Sequence, residues 1–273
     1  MSHCTSSVDG IVGAYTGSSF AVQASTASLL GCALYSALEL IVLVFSVFHV
    51  YRGLYFWSLL ISASLGVIPD ALGLIIKYFE LSTMIWLPVT LSTAGWCIMV
   101  TGQSLVLYSR LHLVVMNRKV LNCILGMIIF DAIAMQIPQI IASYGAVYVC
   151  HLQFTKFFNI WEKVQLTVFF MQEIIISGVF IVQTLRLLRS YPTRSKRKTN
   201  IMYQLLTINA AIIIMDIALL ILEYMGFFIT QTVLKCFFYT VKLKLEIAVL
   251  SRLASFVKSH PDQDSSGLSQ LHS

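Results

Sequence analysis

FITQTVLKCFFYTVKLKLEIAVL, from Phe228 to Leu250, has the length and apolar character of a membrane-spanning helix, yet it contains four charged residues: Lys235, Lys242, Lys244 and Glu246. A helix needs about 20 apolar residues to cross the roughly 30 Å of hydrocarbon in a bilayer. Lipid excludes unpaired charge, so this segment can span a membrane only if its charges face carboxylates on neighbouring helices. The stretch therefore predicts a helical bundle with a polar interior.

The composition of the whole chain is that of an integral membrane protein. Of its 273 residues, 58% are hydrophobic and 11% are charged, and the mean hydropathy is +0.84. Soluble chains average about 25% charged residues. The sequence has no nucleophile–base arrangement, no metal-ligand spacing and no phosphate-binding loop, so neither an enzyme nor a bound cofactor is expected. The net charge of +6 is attributed to cytoplasmic anchoring residues, and nucleic-acid binding is not expected.

Seven stretches are long and apolar enough to cross the bilayer, which predicts an all-α membrane protein with a seven-transmembrane-helix bundle. The predicted spans are residues 24–50, 54–79, 84–113, 120–146, 159–188, 201–227 and 230–254. They form one transmembrane domain, 24–256, between an extracellular N-terminal segment, 1–23, and a disordered cytoplasmic tail, 257–273. Three prolines inside these spans are expected to kink helices without ending them: Pro69, Pro88 and Pro138.

The basic residues predict the orientation of the chain, because cytoplasmic flanks of membrane helices are enriched in Lys and Arg. With the N-terminus outside, the inner flanks hold 14 of the 18 basic residues and the outer flanks hold only Lys77, Lys156, Lys163 and Lys235. The N-terminus is therefore predicted to lie outside and the C-terminus in the cytoplasm. A disulfide between Cys4 and Cys150, both predicted to be extracellular, is left open.

Acidic residues lie well inside five of the predicted spans: Glu39, Asp70, Asp131, Glu173 and Asp216. The sixth span repeats polar residues every seven positions, on one helix face: Asn209, Asp216 and Glu223. The seventh span places four residues on one face at the spacing i, i+4, i+7 and i+11: Lys235, Tyr239, Lys242 and Glu246. Charges at this depth are expected to turn inward and find partners.

Two ion pairs between the last two spans are predicted from these faces: Glu223–Lys235 and Asp216–Lys242. If the connection between the spans is centred near Ile229, the members of each pair lie at matched depths. Lys244 points elsewhere and is expected to reach the inner interface or another acid. The pairs have two alternative roles, which are to fix the packing of the helices or to line a polar cavity for a ligand, an ion or a proton.

Basic residues on the inner side form a second candidate site, a contact for a cytoplasmic partner or anionic lipid: Arg110, Arg194, Lys196, Arg197 and Lys198. Arg110 occupies the position of the arginine in the Asp-Arg-Tyr motif of rhodopsin-like receptors, but Ser109 and Leu111 replace the other two residues. Its alternative role is a charge anchor at the cytoplasmic boundary. The likeness to those receptors is therefore architectural.

Three long segments resemble a family of uncharacterised fungal seven-helix integral membrane proteins: AGWCIMVTGQSLVLYSRLHLV (94–114), WEKVQLTVFFMQEIIISGVFIVQTLRLL (161–188) and MDIALLILEYMGFFITQTVLKCFFYTVKLKLEIAVL (215–250). The resemblance covers about residues 25–255 and is to a domain of unknown function. It implies a multi-pass membrane protein of filamentous-fungal origin, and it implies no ligand, reaction or functional residue.

The leading hypothesis for function is a receptor-like protein in the lipid bilayer that senses an unknown small molecule and signals to a cytoplasmic partner through its basic inner loops. One alternative is a small-solute or proton-coupled transporter that uses the intramembrane acids: Asp70, Asp131, Glu173 and Asp216. The other alternative is a membrane scaffold without a ligand. The sequence does not distinguish the plasma membrane from an internal membrane.

Overall fold

The computed structural model describes residues 20–48, 53–84, 86–115, 117–148, 152–190, 196–226 and 228–258. Within these ranges the chain forms seven long helices and no strand. They are α1 (Phe20–Val47), α2 (Leu54–Tyr78), α3 (Trp86–Val114), α4 (Arg118–Tyr148), α5 (Leu152–Ser190), α6 (Lys196–Tyr224) and α7 (Phe228–Lys258). Cys4, Cys150 and most of the predicted terminal segments lie outside the described residues.

Six of these helices, α1 to α6, have the length and composition of membrane spans, so the chain is a multi-pass membrane protein, as predicted. The α7 helix has 31 residues, which is long enough to cross a membrane. Its charged residues exclude it from the helices that composition identifies as membrane spans. The helices extend furthest beyond the predicted spans at the starts of α5, which begins at Leu152 against a predicted span start of 159, and of α6, which begins at Lys196 against 201. Apolar runs mark where a helix enters lipid, and these two helices begin before that point.

The α2 helix contains a π-helical turn at Ser62–Val67, directly before Ile68 and Pro69. Proline has no N–H group to donate to the preceding turn, and the widened turn lets the helix continue past this gap. Pro138 lies inside α4. Pro88 lies instead in the first turn of α3, where the missing N–H would have no helical partner. The expectation that Pro88 kinks a span is therefore wrong.

Glycines bring α2 and α3 into close contact. A Cβ atom on Gly95 would lie 2.5 Å from the backbone nitrogen of Asp70, and one on Gly73 would lie 2.6 Å from the backbone nitrogen of Ser92. Only residues without a side chain permit this approach, which is a common packing mode in membrane bundles. The contact places Asp70 beside Ser92, whose Oγ donates a hydrogen bond of 3.1 Å to Oδ1 of Asp70.

The distribution of side chains is the reverse of that in a soluble protein. Large apolar residues such as Val42, Phe130 and Ile214 are exposed on the outside of the bundle, whereas charged residues of α5, α6 and α7 are buried inside it. In a bilayer the exposed apolar side chains contact lipid, and the buried charges must find partners within the protein. The bundle therefore has the polar interior that the sequence predicts.

Candidate functional site

The α7 helix presents one column of polar and charged side chains to the centre of the bundle, and all four are buried: Lys235, Tyr239, Lys242 and Glu246. The column extends about 17 Å along the helix axis, at 1.5 Å per residue. The polar face of α6 is buried as well: Asn209, Asp216 and Glu223. Lys244 points away from the column and pairs with Glu39 of α1 at 2.5 Å.

The first cluster of the column surrounds Lys235. Its Nζ atom lies 2.8 Å from Oε1 of Glu162 on α5 and 3.2 Å from Oε2 of Glu223 on α6. Gln231 donates a hydrogen bond of 3.2 Å to the same Oε1 atom of Glu162. The Lys235 ammonium also lies 5.1 Å from the centre of the Trp96 ring. The predicted contact between Glu223 and Lys235 is thus present, and Glu162 is a partner that the sequence analysis did not assign.

The second cluster surrounds Lys242. Its Nζ atom contacts Oδ1 of Asp216 and lies 2.9 Å from Oε2 of Glu173. The same Nζ atom lies 4.5 Å from the centre of the Tyr239 ring. The predicted contact between Asp216 and Lys242 is therefore present, and Glu173 is the second carboxylate of the same cluster.

The hairpin between α6 and α7 explains why both pairs form although the predicted centre of the turn is wrong. The turn lies near Gly226, which has a φ of 78°, so each lysine is deeper in the bundle than the acid it contacts. Side chains on a helix lean toward its N-terminus. Because α6 and α7 are antiparallel, Glu223 and Lys235 lean toward each other across this offset, and the same holds for the second pair.

The third cluster corrects the interpretation of Arg110 as a cytoplasmic surface residue or anchor. Its side chain is 2% exposed and lies 3.0 Å from Oε1 of Glu246, while its Nη2 atom donates a hydrogen bond of 2.6 Å to Oδ1 of Asn209. The Phe180 ring covers the guanidinium at 4.4 Å. Glu246 supplies the counter-charge and Asn209 one hydrogen bond, whereas Nε and Nη1 of Arg110 have no hydrogen-bond partner among the described residues.

The other basic residues of the predicted cytoplasmic contact lie at the start of α6 or outside the described residues. Lys196, Arg197 and Lys198 begin α6, and Arg194 lies outside the described residues.

Asp131 is buried in α4, and within the described part of the chain it forms no ion pair. The structure thus gathers most of the predicted polar residues around α7 but leaves Asp131 apart.

A cavity of about 100 Å³ adjoins the Lys235 cluster, at the end of the bundle where α2 and α4 end and where α3, α5 and α7 begin. Four charged residues line it: Asp70, Lys77, Glu162 and Lys235. Its apolar wall includes three aromatic rings: Trp96, Phe158 and Phe228. An apolar and aromatic lining with a few polar or charged groups is the usual composition of a small-molecule site.

Two acceptor oxygens in the wall of this cavity are buried and have no hydrogen-bond partner among the described residues: Oε1 of Gln139 and Oε2 of Glu162. The two residues are 6% and 9% exposed. An unsatisfied buried polar group costs about 1–3 kcal/mol, so both atoms favour a donor that enters the cavity. Neither residue was assigned to a site from the sequence. Glu162 lies near one face of the fifth span with Gln165 and Glu173, which is its only signal, and Gln139 has none beyond its position after Pro138.

Carboxylates outnumber cations in the interior of the bundle. Lys235 and Lys242 each contact two carboxylates, so each cluster has a formal charge of −1 when all its groups are ionised. Arg110 and Glu246 balance each other. An uncompensated charge is costly in a low-dielectric interior, so each lysine cluster favours an additional proton or cation.

Comparison with known proteins places the chain in a family. The family described as domain of unknown function (DUF7703) matches residues 16–264, and the chain belongs to it. The match extends somewhat beyond the predicted range of 25–255 at both ends. No curated protein and no solved structure matches the chain.

Proposed function

We propose that this member of the DUF7703 family is a non-enzymatic, receptor-like membrane protein that binds a small ligand in the cavity. A continuous series of contacts from the cavity into the bundle supports this proposal most strongly. Trp96 lines the cavity, lies 5.1 Å from the Lys235 ammonium, and contacts the Tyr239 ring at 5.6 Å between centroids. Tyr239 contacts the Lys242 cluster in turn. A ligand that moves Trp96 therefore acts on the middle of the bundle.

In the proposed topology α7 is a seventh span, the N-terminus is outside and the C-terminus is cytoplasmic. Without the buried Arg110, Lys235 and Lys242, a balance of 12 basic residues against three supports this orientation. The cavity then opens toward the outside, and the pair of Arg110 and Glu246 lies toward the cytoplasmic end, where Lys196–Lys198 begin α6. Fungal origin and an architectural likeness to rhodopsin-like receptors belong to the same hypothesis.

The test measures whether the cavity controls the opposite end of the bundle. Spin labels at Trp57→Cys and Tyr203→Cys, both exposed to lipid, report the distance between the inner ends of α2 and α6 in nanodiscs, in protein whose native cysteines are replaced. Trp96→Leu should change the distribution of label distances. The matched control, Trp86→Leu, removes a lipid-facing tryptophan from the same helix and should leave the distribution unchanged. Identical distributions in all three proteins would favour the scaffold hypothesis.

The excess of carboxylates supports a second candidate function, proton-coupled transport. Proteoliposomes that contain the protein and an internal pH dye test it directly under an imposed proton gradient. A transporter should dissipate the gradient, and either Glu173→Gln or Asp216→Asn, each of which leaves one carboxylate on Lys242, should lower the flux. Asp131→Asn is the control, because Asp131 forms no ion pair within the described part of the chain. A proton flux equal to that of empty liposomes excludes this candidate.

A further inference from the structure

Three hydroxyl groups in the wall of the cavity already donate to acceptors within the described chain. Ser92 donates to Asp70, Ser143 to the carbonyl oxygen of Gln139 and Thr232 to that of Phe228. The two buried wall atoms without partners, on Gln139 and Glu162, are both acceptors. A ligand that satisfies them must therefore bring its own N–H or O–H groups.

The charges around the cavity favour a cationic donor. The Lys235 ammonium is shared by Glu162 and Glu223. The Lys77 ammonium lies 5.7 Å and 5.8 Å from the centres of the Tyr78 and Phe228 rings. The wall itself carries two carboxylates, Asp70 and Glu162, against these two ammonium groups. Glu223 adds a third carboxylate from behind Lys235, so the ammonium of a ligand is attracted by carboxylates that would repel an anionic ligand.

The size and the apolar wall limit the rest of the ligand. At about 30 Å³ for each water-sized group, a cavity of about 100 Å³ encloses roughly three or four such groups, so the charged end of a ligand fits inside and the rest of a larger ligand lies at its mouth. The ring of Trp96 and those of Phe158 and Phe228 line this space. Aromatic faces attract organic cations and also cover apolar groups. A compact ligand with one charged end and one apolar end matches this wall.

We infer that the cavity binds a small organic cation, a protonated primary or secondary amine. Its ammonium donates to Oε1 of Gln139 and Oε2 of Glu162, and its apolar part packs against Trp96. The inference rests on the proposed function in that it takes the cavity as the ligand site, and it adds the chemical class of the ligand.

Three probes of one shape separate the chemical classes: benzylammonium, benzyl alcohol and benzoate. Calorimetric titration of the protein in nanodiscs should detect saturable binding of benzylammonium, and at least about tenfold weaker binding of the neutral probe, which lacks the charge. Methylammonium should bind better than tetramethylammonium, which has the charge but no N–H donor. Equal or tighter binding of benzyl alcohol or benzoate, or no binding of any probe, overturns the inference.

Substitution of Gln139 tests the position of the ammonium without breaking an ion pair. Gln139→Leu should weaken benzylammonium binding at least about tenfold, because a charged donor loses its acceptor. Gln139→Glu should strengthen it, because a second charge adds to the attraction. Ile141→Leu, a lipid-facing change on the same helix, should leave binding unchanged. If binding is insensitive to both changes of Gln139, the amine does not occupy this cavity and the inference fails.

The two proposals fail separately in these experiments. If benzylammonium binds with the expected dependence on Gln139 but neither it nor Trp96→Leu changes the label distances, the amine site stands and the receptor function fails. If Trp96→Leu changes the distances but no ammonium probe binds, the receptor function stands and the class of ligand is wrong.

Discussion

Arg110 on α3 and Glu246 on α7 form an ion pair of 3.0 Å in which the two side chains are 2% and 0% exposed. Each group has lost the solvation of water, and the attraction between them compensates for that loss only while both are present. Tyr55 adds a further constraint, because its hydroxyl donates a hydrogen bond of 2.8 Å to the backbone oxygen of Glu246. The ion pair and this hydrogen bond therefore link α2, α3 and α7 near the end of the bundle opposite the cavity.

Removal of the carboxylate at position 246 should be strongly destabilising. Glu246→Gln leaves the Arg110 guanidinium buried without a counter-charge, and breaking a buried pair in this way costs about 3–5 kcal/mol. Denaturant unfolding in detergent micelles measures the loss. A double change of Arg110→Met and Glu246→Leu should recover most of the stability, because apolar residues of similar volume remove both charges at once.

The pair of Lys244 and Glu39 provides the control for that experiment. These side chains are 27% and 44% exposed, and a lysine near the bundle surface can extend its flexible chain toward the interface. Glu39→Gln should therefore cost less than Glu246→Gln, because Lys244 can reach the interface when its partner is removed. If Glu39→Gln and Glu246→Gln cost the same, burial does not decide the value of these pairs.

The two carboxylates around Lys242 should compensate for each other. Either Asp216→Asn or Glu173→Gln leaves one carboxylate on the lysine, so each single change should have a small effect on the free energy of unfolding. The double change leaves Lys242 buried without a counter-charge and should cost about 3–5 kcal/mol, far more than the sum of the single changes. A double-mutant cycle measures this excess, and additive single effects would contradict the shared arrangement.

An exchange of the two charges between Asp216 and Lys242 also tests the Lys242 cluster. Asp216→Lys alone places two lysines together, and Lys242→Asp alone leaves three acids without a cation. The combined swap restores one lysine among acids, and it should recover the folded yield that each single change loses. The swap is informative because Glu173 lies 2.9 Å from Lys242 and has to accept the new lysine from α6.

The parts of the fold that the sequence predicts are those encoded by local spacing. Apolar length predicts the spans, and the regular spacing of Lys235 and Lys242 against Glu223 and Asp216 predicts their contacts, because a hairpin brings adjacent helices together. The partner of Arg110 has no such local signal, since α3 and α7 are distant in sequence. The cavity is likewise unpredicted, because it is formed at the meeting of five helix ends.

Close contact between α2 and α3 makes Gly95 intolerant of a side chain. A Cβ atom there would lie 2.5 Å from the backbone nitrogen of Asp70, and backbone atoms cannot move aside as a flexible side chain can. Gly95→Ala should therefore push α2 away from α3, lower the unfolding temperature and weaken any ligand binding in the cavity. Thermal unfolding and the benzylammonium titration measure the two effects.

Gly126→Ala is the matched control, because a Cβ atom at that position on α4 meets no atom within 4 Å. Alanine also favours a helix over glycine by about 0.5–1 kcal/mol. This change should therefore leave the unfolding temperature unchanged or raise it slightly. If the two alanine variants behave alike, the packing of α2 on α3 does not hold the cavity in shape.

The decisive prediction for topology concerns α7, whose charges exclude it from the helices that composition alone identifies as spans. The native chain has no acceptor for N-glycosylation, and single changes create one at three sites: Thr5→Asn, Thr193→Asn and Gln263→Asn. Glycosylation occurs only on the lumenal or extracellular side, so in eukaryotic cells only Thr5→Asn should give a slower-migrating band that a glycosidase removes. Buried partners for Lys235, Lys242 and Glu246 remove the main cost of inserting α7, which is why we expect an odd number of crossings. Glycosylation of Gln263→Asn together with Thr5→Asn would show that α7 does not cross, and the proposed cytoplasmic C-terminus would be wrong.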